Sequence, residues 1–184
     1  GSALVGFKQS GTGSVDRTVN RKLLELEVSP EDFGAIGDGT TDDAAAINAA
    51  INYVASLGGG KINLGSKTYA VGSTITISNS NVQLIGKGAS TYSDGGLGQQ
   101  AATTIKWIGG AGGIVISCAT PQGVSSAMVS DLKVCNIYIN CNALAITGIA
   151  ITSIRYSSFE DIFVENATSI CYAITTAPNG TIGE

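Results

Sequence analysis

The chain has 184 residues, 43% of them hydrophobic and 13% charged, with a net charge of −4 and no histidine. An acidic balance without clustered Lys and Arg argues against a nucleic-acid partner, and the lack of histidine removes His-based triads, His general bases and His-rich zinc sites. No apolar run approaches the roughly 18 residues of a spanning helix and the first residues lack a signal-peptide pattern, so no membrane partner is expected and synthesis in a cytoplasm is.

So little charge implies strands buried on both faces, as in parallel sheets, where Ile, Val, Ala and Thr run together. Cys118, Cys135, Cys141 and Cys171 form no C-x-x-C pair. They are expected to be free, buried thiols that pack as small hydrophobes.

In chain order, a Gly-, Ser- and Thr-rich start gives way to a predicted short helix with Ser14 as N-cap and an apolar stripe of Val15, Val19, Leu23 and Leu26. So short a helix needs a packing partner, either its own domain or identical helices of sister chains. Pro30 breaks it, and residues 1–29 are set apart as neck and linker. From Thr40 a second helix is predicted, with Thr40 and Asp43 spaced as a capping box, Ile47, Ile51 and Val54 as its stripe, and Gly58-Gly59-Gly60 as its end. Residues 30–80 form the opening and capping segment.

After this helix the periodicity becomes strand-like and stays so: Lys61–Leu64, Thr74–Ile77, Val82–Ile85, Thr104–Ile108 and Ile114–Ile116 are short β-branched segments between Gly, Ser and Asn. No further long helix is available for crossovers, which excludes a doubly wound α/β fold. Residues 81–184 show a repeat. Asn136-Ile137-Tyr138-Ile139-Asn140 matches Asp161-Ile162-Phe163-Val164-Glu165 at an offset of 25, and Gly148-Ile149-Ala150-Ile151-Thr152 matches Cys171-Tyr172-Ala173-Ile174-Thr175 at 23. Gly113-Ile114-Val115-Ile116-Ser117 fits one turn earlier, with an insertion around Pro121 to Ser126. Short strands at this period without helices are what a β-helix requires, although an all-β sandwich also spaces short strands regularly.

Val28-Ser29-Pro30-Glu31-Asp32-Phe33-Gly34-Ala35-Ile36-Gly37-Asp38-Gly39-Thr40-Thr41-Asp42-Asp43, followed by Ala46-Ile47, Ala50-Ile51 and the triple glycine, resembles the opening motif of pectate-lyase-like β-helix proteins. Upstream, Leu4-Val5-Gly6-Phe7 and Arg17-Thr18-Val19-Asn20-Arg21-Lys22-Leu23 are similar to the neck that precedes this motif in bacteriophage tailspikes of the capsule-depolymerase type. The resemblance implies a mainly β, right-handed, single-stranded parallel β-helix with a neck helix and a capping helix. It further implies a homotrimer on the virion tail that joins other tail or baseplate proteins and binds, and often cleaves, a bacterial surface polysaccharide. Members have more rungs than this chain supplies. A non-catalytic adhesin or anchoring module is the alternative.

Candidate chemistry is sparse. Asp38, Asp42 and Asp43 fail the EF-hand pattern, since its third and twelfth positions hold Thr40 and Ala49, and read as helix capping. No metal or cofactor is expected. Glycosidic cleavage needs two carboxyl groups about 5 to 9.5 Å apart, one with a raised pKa. Glu160, Asp161 and Glu165 are the candidates near enough in sequence, against the alternative of solvated charges at a bend. Inward Ile137, Ile139, Ile162 and Val164 would send Tyr138 and Phe163 outward, stacked on adjacent rungs. Such a pair fits a sugar face or a subunit contact; a sugar platform needs polar groups around it and a subunit seam does not. Trimer contacts are expected at Val19, Leu23 and Leu26, and at an outward column of Val115, Ala150 and Ala173 opposite inward Tyr172 and Ile174. With about three or four rungs, the chain by itself is expected not to cleave polysaccharide.

Overall fold

The structure, a computed structural model, describes residues 5–19, 22, 27–89, 102–120 and 128–175. It opens with an antiparallel pair, β1 (Gly6–Lys8) and β2 (Asp16–Thr18), in which Phe7 faces Arg17. The second strand occupies the first turn of the helix expected from Ser14, and helical backbone begins at Val19, with Lys22 helical as well. The end of a short helix is marginal by itself, and over Asp16–Thr18 the ladder offered by Gly6–Lys8 is taken in place of that first turn. Val19 follows directly, its N–H donating to Val5 O at 2.8 Å. Leu23 and Leu26 lie outside the described residues.

The remainder is a coil of parallel strands. On one face lie β4 (Gly60–Gly65), β7 (Val82–Gly86) and the first halves of β11 (Lys133–Asn140) and β14 (Ser158–Glu165). Beyond a bend come β3 (Asp38–Asp42), β5 (Thr68–Val71), β8 (Thr104–Trp107) and the second halves of β11 and β14. A third sheet stacks β6 (Ile75–Ile77), β9 (Ile114–Ala119), β12 (Thr147–Thr152) and β15 (Ile170–Thr175). Two short strands, β10 (Val129–Ser130) and β13 (Ile154–Arg155), pair at a corner. This is a parallel β-helix. Its first turn starts at Gly60, within the segment read from sequence as opening and cap.

Registers follow the repeat. Ile137 pairs with Ile162 and Tyr138 with Phe163 at the offset of 25, and Ile149 pairs with Tyr172 at the offset of 23. The core is a set of vertical columns, such as Ile62–Leu84–Val134, Tyr69–Ile105–Ile139–Val164 and Ile75–Ile116–Ile149, all buried. Parallel strands bring like residues into contact, so each column is a stack of branched aliphatics, with Tyr69 at the head of one, sealed from water. The bend between the two halves is made by Asn136 (φ 60°) and Asp161 (φ 48°), residue types that tolerate the left-handed conformation. In the same corner Gly86 must be small: a Cβ there would lie 2.1 Å from Asn136 O.

The upper end is closed by three devices. Helix α1 (Ala44–Ser56) lays Ala44, Ile47, Ala50, Ile51 and Val54 over the core. Asn48 in α1 donates to Thr74 O at 3.0 Å and accepts from Thr76 N at 2.9 Å, satisfying the upper edge of β6 as a neighbouring strand would. Val28 bridges to Ile62, and its carbonyl accepts from Asn63 N at 2.8 Å above β4.

The acidic motif works differently from the expected capping box. Thr40 lies in β3, and Asp43 is the N-cap but turns its buried carboxylate away from the helix to accept from Ile36 N at 2.7 Å and Gly37 N at 3.0 Å. Asp42 Oδ1 takes over the capping by accepting from Ala44 N at 3.0 Å, and also binds Gly72 N at 2.9 Å. Asp38 accepts from Thr40 N and Thr41 N at 2.8 and 2.7 Å. The capping box itself sits earlier, joining Ser29 and Asp32 around a single turn of 3-10 helix (Pro30–Phe33).

Candidate functional site

The outer surface of the second half-sheet carries the molecule's one pair of stacked rings among the described residues. Because alternation sends Ile137, Ile139 and Val164 inward, Tyr138 and Phe163 stand outward on adjacent strands. Their centroids are 5.8 Å apart and their planes 16° from parallel, an offset-stacked geometry that favours aromatic pairs. Tyr138 is nearly covered, while Phe163 keeps 48% of its surface in water. The ring is held from above by Tyr138 and forms an apolar plate on the last described strand of this face.

Polar groups ring that plate. The Tyr138 hydroxyl donates to Glu165 Oε1. The same oxygen accepts from Asn166 Nδ2 at 3.1 Å and Asn140 Nδ2 at 3.4 Å. Asn140 sits directly above Glu165 in the ladder, with Lys106 above it in turn. The sequence criterion that separates a sugar platform from a subunit seam, polar groups around the rings, is met here. Asn140 and Asn166 were not singled out from the sequence. Asn140 was nevertheless visible there as the partner of Glu165 in the two matched pentapeptides.

The three candidate carboxylates do not converge. Glu160 belongs to the first half-sheet, ion-paired to Lys133 at 3.0 Å and hydrogen-bonded by Ser158. Those hydrogen bonds, Ser158's first and then Lys133's, hold its carboxyl below the ordinary value, the opposite of what a general acid needs. Asp161 makes the bend and is exposed. Glu165 lies beyond the bend with Tyr138, on a different face of the coil from Glu160. Each of the two glutamates is held by its own partners.

The small-residue column is corrected by the register of β9. Ala150 pairs with Ala173 below and with Ser117 above, and Ser117 pairs with Thr76. The outward column is therefore Thr76–Ser117–Ala150–Ala173. Val115 is fully buried in the core. In Ile114-Val115-Ile116-Ser117-Cys118 an apolar residue recurs at every second position, so a slip of two keeps the face and cannot be seen by pattern alone. Tyr172 and Ile174 hold the inward register expected, yet they are 46% and 75% exposed, because no described strand lies below β15. The Tyr172 hydroxyl donates across the coil to Ile162 O at 2.5 Å.

The thiols are free, and Cys118, Cys135 and Cys141 are buried while Cys171 is exposed. Burial pushes Cys118 up to about 12 and Cys141 up to about 11, so neither is a nucleophile at neutral pH. Among the described residues no group of three or more His, Cys, Asp or Glu could hold a metal, and no helix is long and apolar enough to cross a membrane.

Residues 28–180 match the model of the family described as rhamnogalacturonase A/epimerase, pectate lyase-like. The tail spike protein of Shigella phage Sf6 is 39% identical over 103 residues, 53% of this chain and 16% of that protein. The tail spike protein of an Escherichia phage is 44% identical over 73 residues, 40% of this chain and 8% of that one. A mannuronan C5-epimerase of Azotobacter vinelandii is 40% identical over 70 residues, 34% of this chain and 7% of the epimerase. Among solved structures, a tailspike mutant of E. coli bacteriophage HK620 in complex with pentasaccharide superposes with a TM-score of 0.71 at 22% identity, over 97% of this chain and 32% of that one. A protein of Geobacillus virus E2 does so with a TM-score of 0.68 at 24% identity, over 91% of this chain and 34% of that one. The chain spans a small part of the curated relatives and about a third of these solved chains.

Proposed function

Since the chain belongs to the rhamnogalacturonase A/epimerase, pectate lyase-like family, we propose that it is part of a phage tailspike that binds bacterial surface polysaccharide during host adsorption, with Phe163 and Tyr138 as a saccharide contact. The observation that carries this is the exposed Phe163 ring, backed by Tyr138 and bordered by Glu165, Asn140 and Asn166. Pyranose rings present an apolar face of C–H groups and a rim of hydroxyls, which such a plate with amide and carboxylate neighbours complements. Likeness to tail spike proteins of two phages supports the setting, as does the fold shared with a tailspike in complex with pentasaccharide.

Degradation belongs, on this reading, to the whole spike. The separation of Glu160 from Glu165 and the lowered pKa of Glu160 support a binding rather than a cleaving role for this stretch. The spike is a homotrimer, made in the host cytoplasm and joined to other tail proteins. Val19, Leu23 and Leu26 in the neck, and the small outward Ala150 and Ala173, are its sister-chain contacts. Two measurements test the proposal. Retention of the chain on purified capsular and O-antigen polysaccharides should fall at least ten-fold for Phe163→Ala, and equal retention would remove the contact. Sedimentation should show a trimer that Leu23→Asp dissociates, and a monomer in both cases would remove the neck role.

A further inference from the structure

On the reading of Phe163 and Tyr138 as a saccharide contact, we propose that the sugar seated there is uncharged, a neutral or N-acylated hexose rather than a uronate or another carboxylated sugar. A carboxylate, that of Glu165, borders the plate. Glu165 is two residues from Phe163 along the extended part of β14, about 6.6 Å away on the same face, so the substituents of a ring on Phe163 reach over it. Among the described residues Glu165 has no cation within ion-pair distance. Lys133 is taken by Glu160, and Lys106 stands two strands above Glu165, about 9.6 Å away.

The hydrogen-bonding capacity points the same way. Tyr138, Asn140 and Asn166 all donate to Glu165 Oε1, which fixes the carboxylate. They leave Oε2 without a partner among the described residues. A fixed carboxylate oxygen beside an exposed ring accepts from sugar hydroxyls and from an N-acyl N–H, the groups an uncharged hexose presents. A uronate brings a further acceptor with no proton to give, and places like charges side by side where no cation compensates them.

The test uses the 184-residue chain and two sets of purified bacterial surface glycans, one with neutral repeat units and one with uronate in every repeat, with Phe163→Ala and Glu165→Gln as variants. The expected result is retention of neutral glycans, lowered at least ten-fold by Phe163→Ala. Glu165→Gln should weaken neutral glycans and narrow the gap to the uronate set. Retention of uronate glycans that depends on Phe163 would overturn the charge preference and leave the platform standing. Retention of neither set, or retention that ignores Phe163→Ala, would overturn the platform and the preference with it.

Discussion

One column of the third sheet, Ile77–Cys118–Ile151–Ile174, runs the height of the molecule, and its two ends differ more than their residue types suggest. Ile77 is fully buried and Ile174 is 75% exposed. Both are inward-facing isoleucines on three- to six-residue strands of the same sheet. Above Ile77 the chain has built a lid from α1 and its Asn48, whereas no described element lies below Ile174. In a β-helix a side chain is buried by the rungs on both sides of it, so inward direction is a property of the strand and burial a property of its neighbours.

The sharpest way to break that comparison is to truncate both ends. Ile77→Ala removes buried methyl groups from a packed site and is expected to cost about 2–5 kcal/mol. Ile174→Ala is expected to stay near or below about 0.5 kcal/mol, as for other exposed positions. Urea denaturation of the two variants checks both. Equal losses would mean that Ile174 is covered in solution, by another chain or by a part of this one. Asp43→Ala comes next, at about 2–3 kcal/mol, because it strands the Ile36 and Gly37 amides that the carboxylate now accepts from. Asp43→Asn, which keeps one acceptor, should lose less; a loss as small as a surface substitution would show that the lid does not depend on this carboxylate.

Much of this was legible before any coordinates. Equal spacing of apolar-x-apolar runs gave the 25- and 23-residue registers, because parallel stacking places like on like. The bend was also written in the sequence, as Asn136 and Asp161 at matched positions, two residue types at home in the left-handed region. What could not be read is what periodicity does not encode. A slip of two residues in β9 preserves the face and hid that Ser117, not Val115, stands beside Ala150. The preference of Asp16–Thr18 for a strand came from a distant partner, Gly6–Lys8, rather than from local propensity. At the candidate site the stacking of Tyr138 on Phe163 followed from parity. The sharing of Glu165 Oε1 among three donors, and the separation of Glu165 from Glu160 by the bend, needed side-chain positions.

A smaller effect sharpens the account of the lid. Asn48→Ala removes one donor and one acceptor from the upper edge of β6, and is expected to cost about 1–2 kcal/mol. The exposed edge should also show in solution, because unpaired strand edges recruit other strands. Light scattering at raised protein concentration should detect association in the variant before the parent chain. A variant as soluble and as stable as the parent would mean that water serves that edge as well as the amide does.

The smallest expected effect is a pH dependence confined to the same end. Burial pushes the Glu31 carboxyl up, but hydrogen bonds from Lys67 and from the hydroxyl of buried Tyr69 outweigh it, and the net shift is below the ordinary value of 4.5. With the folded value below the unfolded one, the stabilisation is fully present above about pH 4.5 and disappears as pH falls through the folded value. The contact is partly exposed and screened, so its size is below about 1 kcal/mol. Glu27 and Asp38 are shifted the same way by their own hydrogen bonds, and they are common to the parent and to Glu31→Gln. Comparing urea midpoints of the two proteins therefore isolates Glu31. The parent should be slightly the more stable near about pH 7, and the gap should close toward about pH 3. A gap that widens on acidification would mean that burial dominates at this carboxyl, and that Tyr69 is held by its second acceptor, Leu64 O at 2.6 Å, without help from Glu31.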